Sequence, residues 1–378
     1  MARRSEPPSD DAAEDLLPPG PYDPVPGEED TLWFLPDEAA PTAGDPPWRI
    51  LRSDAAASRP ADWAAAEAAN AGLLARAALT LGALDERVRH CAEGLRRRLV
   101  CLEAAELSWH LGERVTVDRL ALYMVQRLSA TGVDAQPLAR AAWAVRRLER
   151  SQPPDPDALA EFLGREAVLR SGADVLTRPV GAEFAALAAD WRRELEAGAV
   201  LHPVTRAALA WHAWRRHGLS GDEAMIEGAV VAARLGGAAL RPGGLGFVPV
   251  ALGGSAPLRG AAGAHEALSA WLQGVEAAAL RGLMEADRVD RWLRRAEDAI
   301  APMSGRTPSR LLAALQKWPL VSAPMLETET GVSRAAVQRN MTRLEELGLV
   351  DEVTGQSRFR FWRLALGAAG APDAASGG

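Results

Sequence analysis

Residues 61–89, ADWAAAEAANAGLLARAALTLGALDERVR, carry alanine and leucine at spacings of three and four, with no breaker except single glycines. That spacing puts the apolar side chains on one stripe of a 3.6-residue helix and is incompatible with the period of two of a half-buried strand. The same texture returns in RRRLVCLEAAELSWHL, which stops at Gly112, and in VTVDRLALYMVQRL, where Thr116 is placed to cap the start. It returns again in LARAAWAVRRLER (138–150), whose arginines lie opposite Ala141, Val145 and Leu148. Tyr numbers 2, Phe 6 and Trp 12 in 378 residues. A core made mostly of small aliphatic side chains lets helices approach closely, so the expected fold is mainly α.

The segment SQPPDPD (151–157) reads as a boundary or long loop, with Asp155 or Asp157 available to cap the next helix. Helices are expected near 157–170, 181–197, 204–217 and 221–235. A Gly-rich segment, 236–264, interrupts the pattern, and FVPVAL within it is a strand candidate. Helical periodicity resumes at HEALSAW and runs to about residue 300. The expected organisation is an acidic, Pro-rich, disordered arm (1–60), an N-terminal helical region (61–150), a helical core (151–300), a winged helix-turn-helix (301–366) and a disordered tail (367–378).

Charge divides along the chain. The formal net charge is −7 overall, yet residues 1–60 alone hold 13 acidic and 5 basic residues along with 12 of the 26 prolines. Such composition cannot bury enough apolar surface to order itself. An apolar cluster within the arm, TLWFLPDE (31–38), and PPWRIL (46–51) are candidate docking points. Residues 301–366 hold 9 basic and 6 acidic residues, a clearly basic segment. Lys317 is the sole lysine, so 42 of the 43 basic residues are arginine. With abundant Ala and Gly, that bias points to a GC-rich, bacterial genome and weakens arginine content as a sign of phosphate binding. Cys91 and Cys101 lack CxxC spacing and read as packing residues in a reducing cytoplasm. The start, MARRSEPPSDDAAED, has no apolar stretch after its arginines and so reads as no signal peptide. No apolar run is long enough to span a membrane.

The C-terminal pattern carries the functional reading. Thr307 or Ser309 opens a helix, SRLLAALQKW, that Pro319 ends. SAPMLETET comes next as a second helix with Pro324 in its first turn, and Gly331 permits the tight turn between two helices. Ser333 is a natural N-cap for a third helix running from Arg334 to Leu347, with Gly348 at its stop. Val337, Met341 and Leu344 share one face, while Gln338, Arg339, Thr342 and Arg343 lie on others. A helix with small residues at its start and Gln/Arg outside suits a major groove, where Arg bonds guanine and Gln bonds adenine. Glu345 and Glu346 belong at the end pointing away from phosphate. LGLVDEV and RFRFWRL then read as a two-stranded hairpin closed by TGQS, with Arg358, Arg360 and Arg363 on one side and Phe359, Phe361 and Leu364 on the other. The segment TGVSRAAVQRNMTRLEELGLV closely resembles winged helix-turn-helix domains. The resemblance implies a DNA-contacting set of Ser333, Arg334, Gln338, Arg339, Thr342 and Arg343 on the helix, and Arg358 and Arg360 on the wing.

Two resemblances cover the middle. ALDERV, LEAAELSWHLGERVTVDRLALY, LARAAWAVRRL and HPVTRAALAWHAWRRHGLSGDEAMIEGAVVAARL, with the C-terminal domain, are similar to an uncharacterised bacterial family typical of alphaproteobacteria and their plasmids. Its members carry a domain of unknown function and, after it, a helix-turn-helix. EAAELSWHLG and RAALAWHAW also resemble stretches of Fic-domain proteins, which use an HPFxxGNGR motif to transfer nucleotides. Here no Pro-Phe comes after His217, Gly218 and Gly221 do not rebuild the anion-holding turn, and Leu111 stands where the inhibitory glutamate belongs. That pattern implies a Fic-like scaffold without the chemistry.

Other chemistry is missing from the sequence. There is no GxxxxGK[ST] and no HExxH, and Lys317 is far from any Gly-rich loop. His212 and His217 lie about 140° apart on a helix, poor geometry for one metal. His202, next to Pro203, reads as a helix start, and Trp109, Trp143, Trp211, Trp214 and Trp292 read as core residues. No cofactor, metal or catalytic residue is assigned. The expectation is a cytoplasmic, non-enzymatic DNA-binding protein, a transcriptional regulator acting on double-stranded DNA, with the helical middle for oligomerisation or sensing. A homodimer is expected because two-fold proteins pair with palindromic sites. The alternatives are an interaction module on a non-catalytic Fic-like scaffold and a divergent Fic-type nucleotidyltransferase using His217.

Overall fold

Asn70 divides the first Ala/Leu run into two helices. Its buried side chain donates to the Ala66 carbonyl at 2.9 Å and shares a hydrogen bond with His265 at 3.1 Å, closing α1 (Pro60–Ala69) just before α2 (Ala71–His90) begins. The computed structural model describes residues 59–91, 94–126, 135–150, 152–165, 178–221, 224–355 and 360–367. The acidic arm with its two apolar clusters, the C-terminal tail and Arg358 lie outside the described residues. The remaining helices are α3 (Gly94–His110), α4 (Val117–Gln126), α5 (Ala135–Leu148), α6 (Leu159–Leu163), α7 (Gly181–Ala197), α8 (Pro203–His217), α9 (Ile226–Gly237), α10 (Ala264–Ile300), α11 (Thr307–Lys317), α12 (Ala323–Thr330) and α13 (Arg334–Glu346). The fold is mainly α, with one small antiparallel sheet near the C-terminus. Thr116 Oγ1 accepts from the Arg119 amide at 3.4 Å, Asp155 caps a short 3-10 turn, and His202 Nδ1 accepts from the Val204 amide at the start of α8.

One hydrophobic cluster runs from Trp63 to Ala286 and centres on α8 and α9. Every residue of α8 from Ala207 to Trp214 is buried, which small side chains make possible. Two large side chains there are satisfied: Trp191 donates to the Ala210 carbonyl at 3.0 Å, and Trp214 donates to Ser220 Oγ at 2.9 Å. Their rings meet edge to face at 5.5 Å. Trp109 departs from the core expectation: it is 51% exposed.

The Gly-rich segment forms no strand at FVPVAL. Its amides are taken by side chains instead, which leaves no ladder to build. The buried Glu103 carboxylate accepts from the amides of Val250 (2.8 Å), Ala251 (2.8 Å) and Leu252 (3.0 Å), and Asp85 accepts from Leu245 at 2.7 Å. Arg96 donates to the Leu245 carbonyl at 3.0 Å, and Arg234 donates to Gly246. An irregular loop crosses the core because four ionisable side chains satisfy its backbone.

A second cluster begins at Trp292 and takes in α11 to α13 and the sheet. The strands are β1 (Val321–Ser322), β2 (Val350–Glu352) and β3 (Phe361–Leu364), in the order β1-β3-β2 and all antiparallel. The expected hairpin is thus joined by a third strand too short to show a period. β3 also departs from its expected sidedness. Trp362 and Leu364 enter the second cluster, while Phe361 packs with Leu320 and with Ala121 of α4. Arg363 projects on the Phe361 side and bridges Asp118 of α4 (2.9 Å) and Asp351 (3.5 Å), so it faces the helical body.

Two substitutions test this packing. Glu103→Ala leaves three buried amides without acceptors, each orphan costing roughly 1–3 kcal/mol, and should lower unfolding stability by about 3 kcal/mol or more. His212 is buried against Trp63, and burial first, with Arg215 and Arg216 adding to it, lowers its pKa from 6.5 to about 3. The unfolded chain takes a proton that the folded imidazole refuses. Stability is therefore full above pH 6.5 and falls as pH drops toward 3, by about 1.4 kcal/mol per unit. His212→Phe should flatten that slope when urea unfolding is compared at neutral and mildly acidic pH.

Candidate nucleic-acid interface

Pro308 occupies the first turn of α11, and the chain leaves the helix at Trp318, ahead of Pro319. Ser322 caps α12, its hydroxyl accepting from Met325 N at 3.4 Å, and Gly331 ends it in the left-handed region at φ 66°. That conformation lets the Gly331 amide reach back to the Glu327 carbonyl at 2.9 Å and turns the chain into α13. Thr330 Oγ1 accepts from Val332 N at 3.3 Å, bracing the turn. Ser333 holds the N-cap position of α13, but its hydroxyl makes no capping bond; its carbonyl accepts from Val337 N at 2.9 Å and its side chain stays exposed.

The two faces of α13 differ sharply. Val337, Met341 and Leu344 are fully buried. Ser333, Arg334, Gln338, Arg339, Thr342 and Arg343 are all exposed. Gln338, Arg339 and Thr342 have no side-chain hydrogen bond or ion pair among the described residues. Arg334 lies 3.8 Å from Glu327, and Arg343 donates to Glu346 at 3.0 Å, both in exposed pairs worth little. Arg360 is engaged otherwise: it donates to Glu345 at 2.7 Å and lies 5.2 Å from the Trp362 ring centroid. Glu345 therefore has a partner in the β2–β3 connection, while Glu346 stays on the solvent side.

The opposite side of this unit is fastened to the helical body. Arg97 of α3 stacks over Trp318 at 3.8 Å. A Cβ at Gly94 would run into the Gln316 carbonyl, so α3 and α11 meet backbone to backbone there. Trp292 of α10 donates to the Leu349 carbonyl at 2.7 Å from a buried position. These contacts were not visible in the pattern of the chain, because each joins segments far apart in sequence.

Residues 309–365 match a family described as an HTH DNA binding domain. The match opens in α11 and closes just beyond β3, so it takes in α12, α13 and all three strands. The chain therefore carries a C-terminal HTH DNA-binding domain. No curated protein matches the chain.

His217 ends α8 with its Nε2 3.2 Å from Glu194, which also binds Arg216. Among the described residues no group of His, Cys, Asp or Glu is arranged to hold a metal, and no helix is long and apolar enough to cross a membrane. Cys101 is buried, and burial pushes its thiol up to about 12, as suits a packing residue.

Met341→Ala should cost about 2–5 kcal/mol, because it empties the centre of the second cluster. Amide exchange should quicken across α11–α13 while α8 keeps its protection. Equal loosening of both would mean that the two clusters do not open separately.

Proposed function

We propose that the chain is a sequence-specific reader of double-stranded DNA and a transcriptional regulator, with α13 lying in the major groove. The observation that carries this reading is the sidedness of α13 inside a matched HTH domain: the apolar residues are buried, and Ser333, Arg334, Gln338, Arg339, Thr342 and Arg343 face solvent. Gln338 and Arg339 are the base readers, since both are exposed and neither is tied to a neighbour. Ser333, Arg334, Thr342 and Arg343 contact the flanking phosphates and sugars. The β2–β3 connection is the wing of a winged helix, with Arg358 and Arg360 as its phosphate contacts; Arg360 reaches phosphate by leaving Glu345. The helical middle holds the reading head and serves oligomerisation or sensing. A homodimer on a palindromic site is the arrangement this reading favours.

Selection of bound fragments from genomic DNA tests it, with a Gln338→Ala/Arg339→Ala double variant alongside. The wild type should recover a motif that the double variant loses. Arg339→Ala alone should weaken specific binding by about 1–3 kcal/mol and relax preference at one base position. Recovery of nothing, at low salt as well, would refute the reading, as would affinity indifferent to both salt and Arg339.

A further inference from the structure

A cleft of about 610 Å3 lies at the seam between the helical body and the HTH domain. Its charged lining is Arg98, Arg288, Arg295 and Arg363, with Asp118 and Asp351. The volume falls in the range of small-molecule sites. No residue of α13 lines it, so it is separate from the DNA-reading face.

The charges in the cleft are not balanced evenly. Asp118 and Asp351 both pair with Arg363. Glu285 sits 3.1 Å from Arg288 and only 3.8 Å from Arg98. Among the described residues Arg295 has only a backbone acceptor, the Ala365 carbonyl at 2.7 Å, and Arg288 also donates to Gly367 at 3.0 Å. Arg98 is the anomaly. Its side chain is 9% exposed, its Nε has no partner among the described residues, and its best hydrogen bond is a long 3.5 Å to the Trp318 carbonyl. Burial lowers its pKa from the arginine norm, with Glu285 opposing the effect. A guanidinium offers five donors in a planar fork, and burying one with so few of them met is costly unless an anion completes it.

We propose that this cleft is an effector site that binds a small organic oxyanion, a carboxylate or phosphate held by Arg98, Arg288 and Arg295. The apolar part of the ligand lies against Val117, Pro319 and Leu364. A planar or tetrahedral oxyanion suits guanidinium forks arriving from two helices, with Arg98 on α3 and the other two on α10. Because α3, α4 and α10 supply one wall and β2, β3 and residues 365–367 the other, an occupant bridges the body and the DNA-reading unit. The coupling to DNA rests on the proposed function; the binding does not.

Calorimetric titration of the full chain without DNA is the first test, using inorganic phosphate, succinate and benzoate as probes. At least one should bind saturably, and which one does separates a phosphate from a carboxylate ligand. Arg98→Met keeps an unbranched apolar stem in place of the guanidinium and leaves Glu285 its Arg288 partner, so the variant should fold while binding weakens about tenfold or more. Arg295→Gln, which retains a donor for Ala365, provides the same readout from an exposed position should Arg98→Met fail to fold. No binding of any probe at millimolar concentration would overturn the site, and so would binding that neither variant alters. Where a probe binds, it should shift affinity for the selected DNA motif; binding without that shift would overturn the effector role. Loss of DNA binding with anion binding intact would count against the DNA reading alone.

Discussion

A single uninterrupted helix belongs to both hydrophobic clusters, and the architecture depends on it. One face of α10 from Ala264 to Ala286 packs into the body cluster, and Trp292, Ala296 and Ile300 are buried in the second cluster with the HTH domain. At 1.5 Å per residue the 37 residues span roughly 55 Å. Through its middle α10 runs parallel to α2, as the pairs Arg76–Glu276 and Arg87–Asp287 record. Because no linker separates the clusters, the HTH domain is fastened by helix backbone as well as by the contacts of α3 and α4. Its independent freedom is correspondingly small.

Inside the body, charged side chains take a role usually left to strands. Glu103, Asp85, Arg96 and Arg234 complete the backbone of a loop that would otherwise bury unpaired amides and carbonyls. This explains what the sequence could and could not reveal. Helices announced themselves through alanine and leucine spacing, since a 3.6 period is a local property. FVPVAL looked like a strand because its residues favour extended backbone, yet the acceptor for the Val250 amide is Glu103, far earlier in the chain on α3. No local pattern contains that information. The break at Asn70 was missed for the same reason, because its side chain answers to the distant His265.

The pattern of α13 and the turn before it was legible almost residue for residue. Gly331, Pro324 and the Val337–Met341–Leu344 spacing are local signals with a physical reason behind each, and the structure assembles them into one unit. The hydroxyl of Ser333 and the guanidinium of Arg360 were less readable, because whether a polar side chain is free or engaged depends on neighbours that its own segment does not supply. Arg363 shows this most plainly. Grouping it with Arg358 and Arg360 went by residue type; a strict period of two puts it with Phe361, and β3, covered on both faces, turns it that way, toward Asp118. A strand with two buried faces loses the polar side that sequence alternation takes for granted.

The shared helix also fixes an angular phase. Each residue of α10 advances the chain by about 100° and 1.5 Å, so the direction in which α13 faces is tied to the number of residues between the body and Trp292. One residue added in that interval would swing the HTH domain by over a quarter-turn and strip Trp318 from Arg97 and Arg363 from Asp118. Seven added residues, nearly two full turns, would bring the heading back within about 20° while carrying the domain some 10 Å outward. Chain length in this stretch therefore acts as an orientation setting for the HTH domain.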